Sequence, residues 1–134
     1  MSLPYRTYSF EKLQVWQLAM AFKLDMYKIT KTFPSEERFV LTSQIRRAAD
    51  SITSNLAEGS GRASNVDKAH FTNVSHTSAL ELISHMISSY ELEYISDVLY
   101  VEYRVKLDRI INMLENLYKY QLNSEISLKD KLKK

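Results

Sequence analysis

The sequence predicts an all-α protein, an antiparallel up-down-up-down four-helix bundle. Two observations carry that prediction. The 134 residues include only two glycines and two prolines, whereas an all-β fold needs a turn residue about every ten positions. Apolar residues also recur at spacings of three and four over long segments, the repeat of a buried helix face. Long helices joined by short loops pack antiparallel to their neighbours.

The length suits one domain, large enough to bury roughly two-thirds of its unfolded surface without staples. Hydrophobic residues make up 45% and charged residues 25%, the balance of a globular chain rather than a disordered one. Residues 1–122 read as a single bundle domain, and 123–134 as a polar, lysine-rich, frayed tail. The absence of cysteine excludes disulfides, zinc–thiolate sites and thiol nucleophiles. No stretch approaches the roughly 18 uninterrupted apolar residues of a membrane span, and Met1–Phe10 lacks the apolar core of a signal peptide. A cytoplasmic location without membrane contact is expected. The formal charge of +2 is too small to argue for nucleic acid by itself.

The first helix is expected over about 9–32. Phe33-Pro34 stops it, because the residue before proline is pushed out of helical geometry. The second is expected over about 35–57, with Glu36 and Glu37 at the positive end of its dipole and Gly59 and Gly61 as its C-cap and turn. Ser64-Asn65-Val66-Asp67 reads as a capping box opening a third helix over 65–94. Ser96 and Asp97 cap a fourth over 97–122. In the second helix Leu41, Ile45, Ala48, Ala49, Ile52 and Leu56 form one stripe, and in the fourth Leu107, Ile110, Ile111, Leu114, Leu117 and Tyr118 form another.

The first and third helices each carry two stripes. Leu13, Trp16, Met20, Leu24 and Tyr27 lie roughly 150° around the wheel from Val15, Phe22, Met26, Ile29 and Phe33. On the third, Phe71, Val74, Ser78, Leu82 and His85 oppose Leu80, Ile83, Ile87, Tyr90 and Tyr94. Such a helix buries both faces or exposes a large patch. Either it is wedged between two neighbours in its own bundle, or the second face meets another copy. On the latter reading the subunit interface comprises Val15, Phe22, Met26, Ile29, Leu80, Ile83, Ile87 and Tyr90.

Catalytic chemistry finds no support. A di-iron bundle needs two Glu-x-x-His pairs and two further carboxylates, and none of His70, His76 and His85 has a glutamate three residues earlier. No serine sits on a glycine-flanked elbow, and Gly59-x-Gly61 is too short for a phosphate fingerprint. No catalytic residue, metal or cofactor is expected. One polar line stands out on the second helix: Arg47, Ser51, Ser54 and Glu58, flanked by an Arg46–Asp50 i,i+4 pair. In one reading Arg47 and Glu58 pair with neighbouring helices and fix register. In the other, Arg46, Arg47 and Arg62 contact phosphate or an acidic partner. Charge is uneven along the chain: residues 1–32 hold five basic and two acidic side chains, residues 64–96 one basic and four acidic, an asymmetry that can bring copies together.

The run Phe33-Pro34-Ser35-Glu36-Glu37-Arg38-Phe39, then Leu41-Thr42-Ser43-Gln44-Ile45-Arg46-Arg47-Ala48-Ala49-Asp50-Ser51-Ile52, continues as Asn55-Leu56-Ala57-Glu58-Gly59-Ser60-Gly61-Arg62. With Phe10-Glu11-Lys12-Leu13 and Val15-Trp16 upstream and Phe71, Ser78 and Glu81 downstream, it resembles the 23S rRNA-intervening sequence protein family over about residues 9–121. These four-helix bundle proteins were first noticed in intervening sequences of bacterial 23S ribosomal RNA genes. The resemblance implies an antiparallel bundle and a ring-shaped homopentamer. It also implies kinship with the accessory variability determinant of diversity-generating retroelements, a bundle whose basic surface binds nucleic acid. The signature positions it carries over are Gln44, Arg46, Arg47, Ser51, Asn55, Glu58, Gly59 and Arg62. Ser75 and Thr77 stand where relatives tend to have Ala and Gly, which puts close packing there in question. A five-membered ring would repeat every basic side chain five times. The function expected is that of a non-enzymatic oligomeric bundle acting as an RNA- or DNA-associated scaffold; the alternative is a protein–protein interaction module without nucleic acid.

Overall fold

A computed structural model of the chain describes residues 2–124. A 3-10 turn at Ser9–Lys12 precedes α1 (Gln14–Thr30), and a second at Ser35–Glu37 precedes α2 (Leu41–Ser60), α3 (Asn65–Glu91) and α4 (Asp97–Asn123). The described residues contain no strand. Of the expected tail, residues 125–134 lie outside the described residues.

Several boundaries differ from the sequence expectation, and α1 and α3 end early, at Thr30 and Glu91. The first segment is broken at Leu13, whose backbone is extended; Glu11 holds the turn before it, accepting from the Tyr8 amide at 2.7 Å. α2 begins at Leu41, so Glu36 and Glu37 sit on the preceding turn and not at the head of the helix. Glu37 instead accepts a 2.7 Å hydrogen bond from the Tyr94 hydroxyl. At its other end α2 runs through Gly59 to Ser60, and neither glycine has a positive φ. Glycine is therefore not needed there for a left-handed turn. Ser64 and Ser96 do cap α3 and α4, accepting from the amides of Asp67 and Leu99.

Sequential helices run antiparallel, as their cross-links show. Lys23 meets Asp50 and Thr30 meets Arg46 between α1 and α2. Ser78 meets Ser51 while the head of α3 at Phe71 lies against Gly59 near the end of α2. Tyr90 meets Asp97 and Thr72 meets Gln121 between α3 and α4. The core between them is built from Val15, Phe22 and Met26, Ile45 and Ile52, Leu82 and Met86, and Leu107, Ile110 and Leu114. α3 is the central helix, packing broadly on α2 and α4, whereas α1 leans on α2 and touches α4 lightly.

This arrangement corrects the reading of α1. Val15, Phe22 and Met26, placed above at a contact between copies, are 2%, 2% and 0% exposed inside their own bundle. Ile29 is half-buried against the same core. The outward stripe is the one with Trp16, Met20, Leu24 and Tyr27, and the polar tips of Trp and Tyr suit a half-wet position. α3 resolves the other way. Its fully buried line, Thr72, Ser75, Ala79, Leu82 and Met86, runs between the two apolar stripes. Phe71 and Val74 on one side and Ile83 and Tyr90 on the other flank it half-buried, whereas Leu80 and Ile87 are exposed, so α3 is wedged within the bundle but leaves part of its second stripe open. Ser75 is fully buried and donates to the Ile52 carbonyl at 2.9 Å, so the hydroxyl is accommodated in the close α2–α3 seam.

α3 ends in a Schellman motif: the Tyr94 amide donates to Ser89 O and the Glu93 amide to Tyr90 O. Glu93 occupies the left-handed position, with φ 64°, where a side chain costs about 1 kcal/mol relative to glycine. Glu93→Gly is expected to raise stability by about 0.5–1 kcal/mol. Urea denaturation of the variant beside the parent checks this, and a lowered midpoint would contradict it.

Candidate functional site

The polar line of α2 does not form one patch. Arg46 crosses to the end of α1, donating from Nε to Thr30 Oγ1 at 3.0 Å and from Nη2 to the Tyr27 carbonyl at 3.3 Å. Its guanidinium also lies over the Tyr27 ring, 4.8 Å from the centroid. Arg47 stays on its own helix and donates to Gln44 Oε1 at 2.6 Å. Arg62 pairs with Glu58 at 3.1 Å and covers the ring of Phe71. Arg47 and Glu58 thus make no cross-helix pair among the described residues, and Arg62, just past the end of α2, lies roughly 24 Å from Arg46 at about 1.5 Å rise per residue. The three arginines cannot grip one phosphate together.

Register is fixed by other groups. Asp50 takes Lys23 of α1 at 2.6 Å, in place of the i,i+4 pair with Arg46. The hydrogen bond from the Lys23 ammonium, opposed by partial burial and helped by the Lys23 charge and the Ser54 hydroxyl, holds the Asp50 carboxyl below the usual carboxylate range. Asn55 donates to Ser51 O and Oγ, and Ser78 donates to Ser51 Oγ at 2.8 Å. Lys106 on α4 reaches Asp25 on α1 at 3.0 Å. No sequence spacing announces the Lys23–Asp50 or Lys106–Asp25 pairs, because each joins helices distant in sequence. Gly59 belongs to the same seam: a Cβ there would stand 2.8 Å from Phe71 Cβ.

Two surface features remain. The first is the outer side of α4, where Val98, Val101 and Val105 are 78%, 59% and 63% exposed. They are spaced three and four apart and face away from the core line of Tyr103, Leu107 and Ile110. Leu80 and Ile87 of α3 are also exposed, while Ile83 and Tyr90 are half-buried against the core. The second is a cavity of about 470 Å³ where the end of α1 meets the start of α2, lined by Thr30, Lys31, Phe33, Pro34, Ser35, Arg38, Thr42 and Arg46. Among the described residues no cluster of three or more His, Asp or Glu side chains fits a metal ion. No described helix is long and apolar enough to cross a membrane.

Among curated proteins none matches the chain. A crystal structure of a protein of unknown function from the S23 ribosomal protein family of Bacteroides thetaiotaomicron VPI-5482 superposes with a TM-score of 0.73 at 24% identity, covering 78% of this chain and 95% of that one. That likeness establishes a shared fold. The family model of the 23S rRNA-intervening sequence protein matches residues 11–116, which takes in all of α1, α2 and α3 and most of α4. The chain belongs to the 23S rRNA-intervening sequence protein family.

Proposed function

We propose that this protein is a non-enzymatic, cytoplasmic scaffold that assembles with copies of itself along the outer sides of α3 and α4. The observation that carries the reading is the valine line at 98, 101 and 105. Three β-branched apolar side chains are directed into water on one helix, and Leu80 and Ile87 are exposed on the next; apolar side chains lined up in this way favour burial against another copy. Homo-oligomers bury surfaces of this kind, and a heterologous contact that closes on itself gives a ring. A ring of five copies is the form the family resemblance suggests. Association with RNA or DNA has less behind it, since Arg46 and Arg47 lie near the start of α2 and Arg62 just past its end.

Light scattering coupled to gel filtration tests the assembly at micromolar concentration. The full chain is expected to run as an oligomer, and Val101→Asp with Val105→Asp as a monomer. The double variant should keep the parent's helical circular dichroism and melting temperature, because both valines lie outside the core. A monomeric parent chain would sink the proposal.

A further inference from the structure

We infer that the cavity between the end of α1, the Ser35–Glu37 turn and the start of α2 is an anion site that takes the phosphoryl group of a small molecule. The site lies at the α1–α2 corner and does not depend on the valine face of α4.

Charge is the first argument. Lys31, Arg38 and Arg46 all line the cavity, and no carboxylate does. Three cations elsewhere are neutralised in place: Lys23 by Asp50, Arg62 by Glu58, and Lys106 by Asp25 and Glu102. Lys31 and Arg38 have no ion pair among the described residues; Arg38 only leans on the Phe39 ring at 5.7 Å. Glu37, the nearest acid in sequence, is turned to Tyr94. A guanidinium has five N–H donors, and Arg46 uses two on α1, so the rest are free for an anion.

Unsatisfied polar groups are the second argument. Thr42 is only 7% exposed and lines the cavity, yet its hydroxyl has no hydrogen-bond partner among the described residues. The oxygen itself is not sealed off, since among the described residues the buried side-chain polar atom without a partner is Arg104 Nε; the Thr42 hydroxyl therefore opens on the cavity, where a ligand can reach it. Thr42 also sits in the first turn of α2, where Val40 supplies no side-chain cap. The amides of that turn therefore stand open at the positive end of the helix dipole, next to the cations. Ser35 adds another hydroxyl to the wall.

Size decides the rest of the ligand. About 470 Å³ falls within the roughly 300–1,000 Å³ of small-molecule clefts, so a phosphate alone would fill only part of it. Phe33 and Pro34 provide an apolar wall for the group the phosphate carries. A phosphomonoester with a compact organic part, such as a nucleoside monophosphate, fits this combination. The same phosphoryl chemistry occurs at the end of an RNA strand, so the experiment includes that source.

Isothermal titration of the full chain with inorganic phosphate, adenosine monophosphate and adenosine is the test. Short RNAs with and without a 5′-phosphate complete the series. One monophosphate per chain is expected, with phosphate weaker and adenosine silent. Lys31→Gln and Arg38→Gln should each weaken the monophosphate about tenfold, as loss of a charged hydrogen bond does. Thr42→Val, nearly the same shape, should weaken it about threefold with no loss of thermal stability. No heat from the monophosphate at millimolar concentration would overturn the inference, as would binding that Lys31→Gln and Arg38→Gln leave unchanged. Unphosphorylated RNA binding as tightly as the monophosphate would overturn the small-molecule assignment.

Discussion

Gly59→Ala is expected to destabilise the protein by about 1–3 kcal/mol, whereas Gly61→Ala, two residues on, is expected to be neutral or slightly stabilising. Ordinarily alanine favours a helix over glycine by about 0.5–1 kcal/mol, and Gly59 is helical. The sign reverses because a methyl at 59 would stand 2.8 Å from Phe71 Cβ and 3.5 Å from the Lys68 carbonyl. Phe71 Cβ is bound directly to the α3 backbone, so no rotamer change relieves the clash; α2 and α3 must separate. Their seam also holds the Ser75–Ile52 and Ser78–Ser51 hydrogen bonds, which separation would lengthen. At Gly61 the added methyl would meet only the Glu58 carbonyl at 3.6 Å, an ordinary contact, and φ is −90°. Thermal melts of both variants decide the matter, with roughly 4 °C per kcal/mol. Equal effects at the two positions would mean that close packing is not what glycine provides at 59.

The sequence singles out the segment from Glu58 to Arg62, but for a different reason from the one the structure gives. Periodicity finds a residue's helix face, and α2 and α4 have one apolar face each, so Ile45, Ile52, Leu107 and Leu114 are recognisable as core. It cannot rank two faces of similar apolarity, and on α1 that ambiguity put Val15, Phe22 and Met26 outside the bundle. The clue lay in the smaller residues: Ala19 and Thr30 share the buried line, and a stripe with small members lets helices approach. α3 shows the same effect, since its buried centre is a row of Thr72, Ser75 and Ala79 between larger flanks. Glycines read as a turn turned out to mark a close approach, because the partner, Phe71, belongs to the next helix. The corner cavity was partly visible. Arg46 is legible in the sequence as a contact beyond the chain, but Lys31, Arg38 and Thr42 are not, since only the turn at Ser35–Glu37 brings them beside it. No local spacing encodes that convergence.

Phe22→Ala is expected to cost about 3–5 kcal/mol, a large part of the roughly 5–15 kcal/mol that holds a domain folded. The ring is 2% exposed and meets Tyr103 of α4 edge-on, with centroids 5.9 Å apart. α1 touches α4 only lightly, so this contact, with the Lys106–Asp25 pair nearby, is much of what holds the two helices together. The seam already contains a cleft of about 160 Å³ lined by Leu18, Ala21, Phe22, Asp25, Lys106, Arg109 and Ile110. Removing the ring would enlarge that space beside an existing gap, and α1 is restrained on its other side by α2. The cost therefore belongs near the upper end of the range, where the site relaxes little. Phe22→Leu, which keeps much of the volume, should lose about 1 kcal/mol. The comparison also separates the two roles that periodicity left open. A subunit-contact residue, once truncated, would lower oligomer mass and leave the stability of a single chain nearly intact. A core residue would lower the unfolding midpoint at every protein concentration, in the parent background and in the Val101→Asp, Val105→Asp variant alike. A Phe22→Ala protein that melts like its parent but runs smaller in light scattering would return Phe22 to the surface.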